Sequence, residues 1–532
     1  MGKIRLLDCT LRDGGYLNDW NFGKDNISYI FRRLVHSNVD VIEVGFLDDR
    51  RSFDPNRTIN PDTESYNKIF GKFDHGNAMV VGMIDFGTCR IENLKPCAES
   101  CLDGIRVIFK KDKMHPALEF CKQVKALGYK VFTQLVSVTS YTDDELREVV
   151  GLINDCHPFA ASMVDTYGLC DAPTLAHIID IIDANLDEDI CLGYHAHNNF
   201  QLGYANAVSV LNRGLKRDVL VDGTLYGMGK SAGNAPLELL AMYMNLNFGK
   251  NYNIEQIQEA IYTCILDLKK KYNWGYSLYY FIAALNRCHP DYVGYLMNKQ
   301  TLSITSINEI LQQIPEKDKL GKNKELLEQL YLNHMAKDCK DVVCEANLKE
   351  RLDGKEILLL GPGTSVQSEC GKIADFIQEN HSVVIAVNYI PEVFKIDYLF
   401  VSNAHRYLQM SDKINDMNNC PVTIATSNVT SCDGHFDYIF NYGDFLDETA
   451  EIRDNSLFML LRILIYLGID RVSLAGFDGY VPDDLNYFDR MMEYSEVRAK
   501  AKQLNKYGME FFENHKKELT VRFVTHSRYE TQ

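Results

Sequence analysis

The sequence predicts an α/β protein in two parts: an N-terminal (β/α)8 barrel with a helical extension, then a separate Rossmann-like α/β domain. Three observations carry this. Short apolar runs alternate with amphipathic stretches eight times in the first 230 residues; the pattern turns helical from about Asn253 to Cys344; and a new strand–helix alternation begins at Ile357. A chain of 532 residues is also too long for one hydrophobic core. The expected boundaries are 1–245 for the barrel, 246–346 for the helical extension and 352–532 for the C-terminal domain.

The eight runs are IRLLDCTL (4–11), VDVIEVGF (39–46), MVVGMID (79–85), GIRVIFK (104–110), KVFTQLVS (130–137), ASMVDTYG (161–168), DICLGYHAH (189–197) and VLVDGTLYG (219–227). Their near-continuous apolar character suits strands buried on both faces, hence a parallel sheet covered by helices. A doubly wound open sheet is the alternative. Polar residues gather at the C-terminal ends of the runs: Arg12, Asp13, Glu43, Asp85, Gln134, Asp165, Thr166, His195, His197 and Asp222. In a TIM barrel those ends share one rim, where active sites are built, whereas an open sheet would spread them along an edge. Closure is favoured.

Beyond the barrel, IEQIQEAIYTCILDLKKKY, YSLYYFIAALNR, SINEILQQI and KELLEQLYLNHMAK have helical periodicity. The charged segment NLKERLDGKE (347–356) leads into strand-like runs at ILLLGPGTS (357–365), VVIAVNY (383–389), DYLFVSN (397–403), PVTIAT (421–426), DYIFNYG (437–443) and RVSLAGFDG (471–479).

The 56 basic and 73 acidic residues give a net charge of −17, which argues against nucleic acid or an anionic membrane as the main partner. The most apolar stretch, Ser456 to Ile469, is too short for a bilayer and contains Arg462, so no membrane span is expected. The 15 cysteines include no CxxC pair and read as reduced, packed thiols such as Cys9, Cys191 and Cys264. Together with an N-terminus that runs directly into a strand pattern, they imply a cytoplasmic protein.

The chemistry concentrates at Asp13, His195 and His197. In a strand, H-A-H puts both imidazoles on one face, and barrel closure brings the end of the first strand beside the last two. One carboxylate and two imidazoles make a facial metal set with open positions for a chelating substrate. With few thiolates nearby, Mn2+ or Mg2+ is expected ahead of Co2+ or Zn2+. The plainer reading of Arg12 is a salt bridge to Glu43 or Asp165, and Gln134 and Thr166 suit either substrate contact or core hydrogen bonding. Asp222 and Asp8 read as structural.

TLRDGG (10–15), VIEVGF (41–46), YHAHNN (194–199) and GMGKSAGNAPLE (227–238) resemble, in the same order, motifs of the DRE-TIM metallolyase superfamily. The pyruvate-type 4-hydroxy-2-oxovalerate aldolases are nearest. The resemblance covers about 330 residues and implies metal ligands at Asp13, His195 and His197, with Asn234 ligating or bracing the metal. It further implies Arg12 as the stabiliser of an enolate oxygen, with substrate contacts at Gln134 and Thr166 and Glu43 as either a substrate contact or an orienter behind the site. The family places an acid/base histidine shortly after RDG; Tyr16 stands there in this chain. It also brings a tyrosine from the helical extension to the site, for which NWGYSLYY (273–280) offers Tyr276 first and Tyr279 second. The implied activity is a metal-dependent aldolase acting on a keto acid and an aldehyde. The alternatives are a Claisen-type acyl-CoA enzyme of the same superfamily, or a silent barrel carrying a nucleotide-binding domain. The sequence leaves room for a homo-oligomer.

In the C-terminal domain GPGTS follows a strand and opens a helix, a geometry that cradles phosphate on backbone N–H groups. With AVNY (386–389), VSNAHRY (401–407) and LAGFDGY (474–480), the domain is faintly similar to bacterial sialyltransferase-like domains. That resemblance implies a nucleotide or nucleotide sugar at Gly361, Gly363, Ser365, Asn388 and Asn403; a purely structural α/β domain is the alternative.

Overall fold

The computed structural model describes residues 2–532 except 300, 336–341, 417–419, 430–435, 448–451, 453, 494, 531 and 532. The last two residues of KELLEQLYLNHMAK therefore lie outside the described residues. The chain divides into two compact units, Met1–Pro290 and Asp291–Gln532. The helical segments before Pro290 thus belong with the barrel and those after it with the C-terminal sheet.

The first unit is a closed parallel barrel. Its strands are β1 (Ile4–Asp8), β2 (Val41–Leu47), β3 (Met79–Asp85), β4 (Gly104–Phe109), β5 (Lys130–Leu135), β6 (Ala160–Asp165), β7 (Cys191–Ala196) and β8 (Val219–Gly223). Each pairs with its sequence neighbours, and β1 closes the ring by pairing with β8 and β2. A two-residue strand, Ile59–Asn60, adds to β2. The barrel interior is packed by Leu7, Val41, Val81, Phe132, Ala160, Cys191 and Leu220 at its lower end, which leaves polar side chains to fill the upper end. One expectation is corrected here: IRLLDCTL is a strand only to Asp8, and Thr10–Asp13 forms a buried helical turn. Asp8 drives the change, because its carboxylate accepts the N–H and hydroxyl of Thr10 and bends the chain as an Asx turn.

The approach to β7, which carries His195 and leads into His197, is pinned by Arg217. Its guanidinium donates to Asp183 Oδ1 and to the carbonyls of Asp183, Leu186, Asp187 and Ile190, which run from the end of the preceding helix to the start of the strand.

The second unit holds an open parallel sheet of β9 (Ile357–Leu360), β10 (Val383–Val387), β11 (Tyr398–Val401), β12 (Val422–Thr426), β13 (Tyr438–Phe440), β14 (Arg471–Ala475) and β15 (Thr520–Phe523). Their order is β13-β12-β11-β10-β9-β14-β15. The chain therefore builds outward from β9 on one side and returns to its other side at β14, a topological switch point. β15 escaped the sequence reading: TVRF is short, mixed in polarity and half-exposed on the sheet edge. Among the described residues no helix is long and apolar enough to cross a membrane.

Replacing Arg217 by Met should strand several buried carbonyls and cost about 3 kcal/mol. Scanning calorimetry should show the barrel transition at lower temperature, with metal stoichiometry unchanged.

Candidate metal centre

The upper end of the barrel gathers Asp13, His195 and His197. Asp13 enters from the turn after β1, His195 from the end of β7, and His197 from just beyond it, where its backbone bridges to Asn234. One ligand atom from each of the three lies within 4.8 Å of the others. Asp13 Oδ2 is 3.5 Å from His195 Nε2 and 3.9 Å from His197 Nε2.

Both imidazoles are oriented from behind. His195 Nδ1 is 3.0 Å from Asp222 Oδ2, and His197 Nδ1 is 3.2 Å from the Lys230 carbonyl. Each of those partners accepts, so each Nδ1 carries an N–H and each Nε2 faces Asp13. The other Asp13 oxygen, Oδ1, accepts the Lys230 N–H and the Asn234 amide. Burial would push the Asp13 carboxyl up, but Arg12 and the two histidines hold it well below the usual carboxylate range. Burial also pushes His197 down to about 3, so its imidazole is neutral. For His195, burial is outweighed by hydrogen bonds with Asp13 and Asp222, which raise it.

The donor set fits a divalent cation. Asn234 Oδ1 is buried with no hydrogen-bond partner, while its amide nitrogen is held on Asp13, so the free oxygen adds a fourth donor beside the cluster. A second trio, Cys9, His195 and Asp222, is a poorer set. Burial keeps the Cys9 thiol protonated, and it donates to the Gly223 carbonyl. His195 Nδ1 is engaged by Asp222.

Gly229 makes the close approach possible. A Cβ there would lie 2.0 Å from Asn234 Nδ2 and 2.6 Å from Asp13 Oδ1, so the loop of GMGKSAGNAP can cover the site only with glycine at that position.

Arg12 is buried beside Asp13. Its Nε donates to Glu43 (2.8 Å) and its Nη1 to Asp13 (2.5 Å), and the plane lies over Phe46. Burial disfavours the charge, but Glu43 and Asp13 together hold the guanidinium above its usual pKa. Tyr16 stands at the mouth, 40% exposed, with its ring near Trp20, Phe46 and the Lys230 ammonium. Its recess among these groups pushes the phenol up despite Arg12 nearby, so it is a neutral donor at ordinary pH. Thr166 is also near the rim, accepting the Ser137 N–H. Tyr276 is exposed, but its segment is tied to the covering loop: Gly275 N–H donates to Ala232 and the Trp274 indole to Tyr226. Tyr279 packs edge-on against Tyr280.

Two of the expected substrate contacts have partners within the protein. Glu43 is fully buried beneath Arg12, and Gln134 has its oxygen on Arg106 and its amide on Ser162. Both face the barrel's interior network. The residue that sequence reasoning missed is Arg106. The signal was present, since a lone arginine in GIRVIFK sits in a strand otherwise apolar.

In the C-terminal unit the GPGTS turn does not present a vacant cradle. The Ser365 N–H and hydroxyl and the Thr364 hydroxyl all bind the Asp478 carboxylate, and the N–H groups of Gly361 and Gly363 donate to Ala475 and Gly476. The helix that the turn opens is only Ser365–Ser368. A Cβ at Gly363 would meet the Gly476 carbonyl at 2.5 Å and Asp478 at 2.6 Å, so this glycine serves the approach of two strand ends. Beside the turn lies a cavity of about 240 Å3, lined by Gly363, Asn388, Asn403, Arg406, Asn455 and Tyr480 among others. Gly361 and Ser365 are not on its wall. Asn388, at φ 57°, binds Ser402 and Ser456, and Asn403 accepts the Arg406 N–H.

Residues 3–263 match the family model described as HMGL-like. The likeness lies within the N-terminal unit. Its relatives include 4-hydroxy-2-oxovalerate aldolase 2 of Salinispora arenicola, 26% identical over 261 residues, covering 49% of this chain and 71% of that protein. Another is the 4-hydroxy-2-oxohexanoate aldolase of Mycobacterium tuberculosis, 25% identical over 242 residues, covering 45% and 68%. Among solved structures, the N-terminal domain of a candidate aldolase from Bacteroides vulgatus aligns at 24% identity and a TM-score of 0.48, over 57% of this chain and 99% of that one. The family match ends at residue 263, so the similarity concerns the barrel alone.

Asp13→Ala should reduce Mn2+ affinity by more than 100-fold, read by titration of the metal-stripped protein. Gly229→Ala should reduce it about 10- to 100-fold through displaced Asn234 and Asp13, while circular dichroism stays unchanged. Wild-type affinity in either variant would place the metal elsewhere.

Proposed function

We propose that the barrel is a divalent-metal-dependent lyase that cleaves or forms a 4-hydroxy-2-keto acid through a pyruvate-type enolate. The observation that carries this reading is the convergence of two imidazole Nε2 atoms and one carboxylate beside a buried, oriented guanidinium. The aldolases among the relatives support the aldol form of the chemistry over the Claisen form. Asp13, His195 and His197 would hold a Mn2+ or Mg2+ ion, which would supply Lewis acidity toward a keto acid.

The chain's own residues do the rest. Arg12 is fixed through Nε and Nη1, and its Nη2 makes no hydrogen bond among the described residues. That nitrogen is the donor for the keto oxygen, which gains negative charge as the C3–C4 bond breaks and the electron pair passes to the enolate. Glu43 acts on substrate only through Arg12. In the condensing direction the aldehyde oxygen becomes a hydroxyl, and the neutral phenol of Tyr16 at the mouth is the donor at that atom. Thr166 and Tyr276 line the approach, and Asn234 braces Asp13.

The test is pyruvate release from a panel of 4-hydroxy-2-keto acids with and without Mn2+, run beside an acyl-CoA panel. Arg12→Lys keeps the charge and loses the planar fork, so kcat should fall about 100- to 1,000-fold with KM within a few-fold. Tyr16→Phe should slow cleavage and leave methyl-proton exchange of pyruvate intact. Equal loss in both assays would move Tyr16 to the enolate. Metal-independent activity, or turnover of acyl-CoA thioesters alone, would end the aldolase reading.

A second reading concerns the C-terminal unit, and the cavity favours it. Its wall is built from the C-terminal ends of β9, β10 and β14 and the start of the helix after β11, at the switch point where open α/β sheets bind ligands. At about 240 Å3 it is small beside the roughly 300–1,000 Å3 typical of ligand pockets, which suits a mononucleotide rather than a dinucleotide. Calorimetric titration of the full-length protein with cytidine nucleotides should give one isotherm that persists in Asp13→Ala. No heat from any nucleotide or nucleotide sugar would leave a structural domain.

A further inference from the structure

Beneath the metal-ligand set six ionisable side chains close into a ring. Arg12 Nη1 meets Asp13 Oδ2 at 2.5 Å, and Arg12 Nε meets Glu43 Oε2 at 2.8 Å. The same Glu43 oxygen is 3.0 Å from Arg106 Nη1, and Arg106 Nη2 is 2.5 Å from Asp222 Oδ2. Asp222 Oδ2 then meets His195 Nδ1 at 3.0 Å, and His195 Nε2 returns to Asp13 at 3.5 Å. All six are buried. Three carboxylates against two guanidiniums leave one net negative charge while His195 is neutral, which a divalent cation reverses to one positive charge. A monoanionic keto acid complements that.

The geometry points to Arg106 as the positioning residue that couples the two halves of the site: it holds the metal-facing His195 through Asp222, and the enolate-facing Arg12 through Glu43. Arg106 comes from β4, while its two carboxylates come from β2 and β8, so one guanidinium spans the barrel interior. Its fork is what allows this. Nη2 donates to Asp222 and to Gln134, which is anchored on Ser162, while Nη1 meets the Glu43 carboxylate on another strand as an ion pair outside hydrogen-bond geometry. A lysine at this position would bring the same charge to a single point and could not hold both carboxylates in place. Nothing in this arrangement lets Arg106 touch substrate. Its effect is transmitted through Asp222 and Glu43, and it rests on the metal-dependent lyase reading above.

The decisive variant is Arg106→Lys, which keeps the buried charge and so guards against unfolding; melting temperature and circular dichroism report the fold. Two probes are used, Mn2+ titrated into metal-stripped protein, and pyruvate methyl-proton exchange in D2O at saturating Mn2+. Arg106→Lys should weaken Mn2+ about 10- to 100-fold, and also slow the maximal exchange rate at least about 10-fold with pyruvate KM within about threefold. The neighbours separate the arms. Asp222→Asn should act mainly on Mn2+ affinity, and Glu43→Gln mainly on the exchange rate. A folded Arg106→Lys protein with wild-type values for both probes makes Arg106 a core residue and overturns the proposal. So does loss in one probe alone, because the coupling is the claim. If the wild-type protein neither binds Mn2+ nor exchanges pyruvate protons, it is the lyase reading that fails, and the two failures are told apart without any variant.

Discussion

The architecture of the barrel's upper half depends on one carboxylate. Asp13 is buried, ionised and shared between the Arg12 guanidinium and two imidazoles. An isolated carboxylate could not be held there, since its desolvation would drive it to neutrality. Each neighbour is therefore needed to keep the charge, and each neighbour in turn needs its own partner. Glu43 and Arg106 follow from Arg12, Asp222 follows from His195, and the Lys230 carbonyl follows from His197. The polar interior is thus a consequence of placing one anion below the rim, and its removal would leave several charges uncompensated.

Much of this was legible in the sequence because the signals are local. Runs such as MVVGMID and GIRVIFK carry their strand character within six or seven residues, and H-A-H states its own geometry through the two-residue repeat of a strand. The short helical turn at Thr10–Asp13 was not legible as strand end or turn, because the deciding contact is the Asp8 side chain folding back on Thr10. The role of Arg106 was hidden for a different reason. Its partners lie 63 and 116 positions away along the chain, and nothing in the local pattern names them. Glu43 and Gln134 were visible as polar residues at strand ends. Which way they face is decided by that same distant guanidinium.

The C-terminal unit shows the limit of motif reading more sharply. GPGTS has the composition of an anion cradle, and the structure does place an anion against it. That anion is Asp478, 113 residues downstream of Ser365. The glycines are explained by the tight crossing of the β9 and β14 ends, where Gly363 and Gly476 approach within the reach of a Cβ. A glycine-rich turn after a strand therefore identifies a close backbone approach first, and a ligand only when its donors remain unengaged.

The internal carboxylate at that turn has a consequence for whatever occupies the neighbouring cavity. In a turn that closes around a ligand phosphate, the loop's conformational freedom is lost at the moment of binding and subtracts from affinity. Here Asp478 fixes the Thr364 and Ser365 donors from within the chain. The turn beside the cavity is preorganised by folding itself, so occupancy of the cavity should leave the turn's amide hydrogen-exchange protection unaltered.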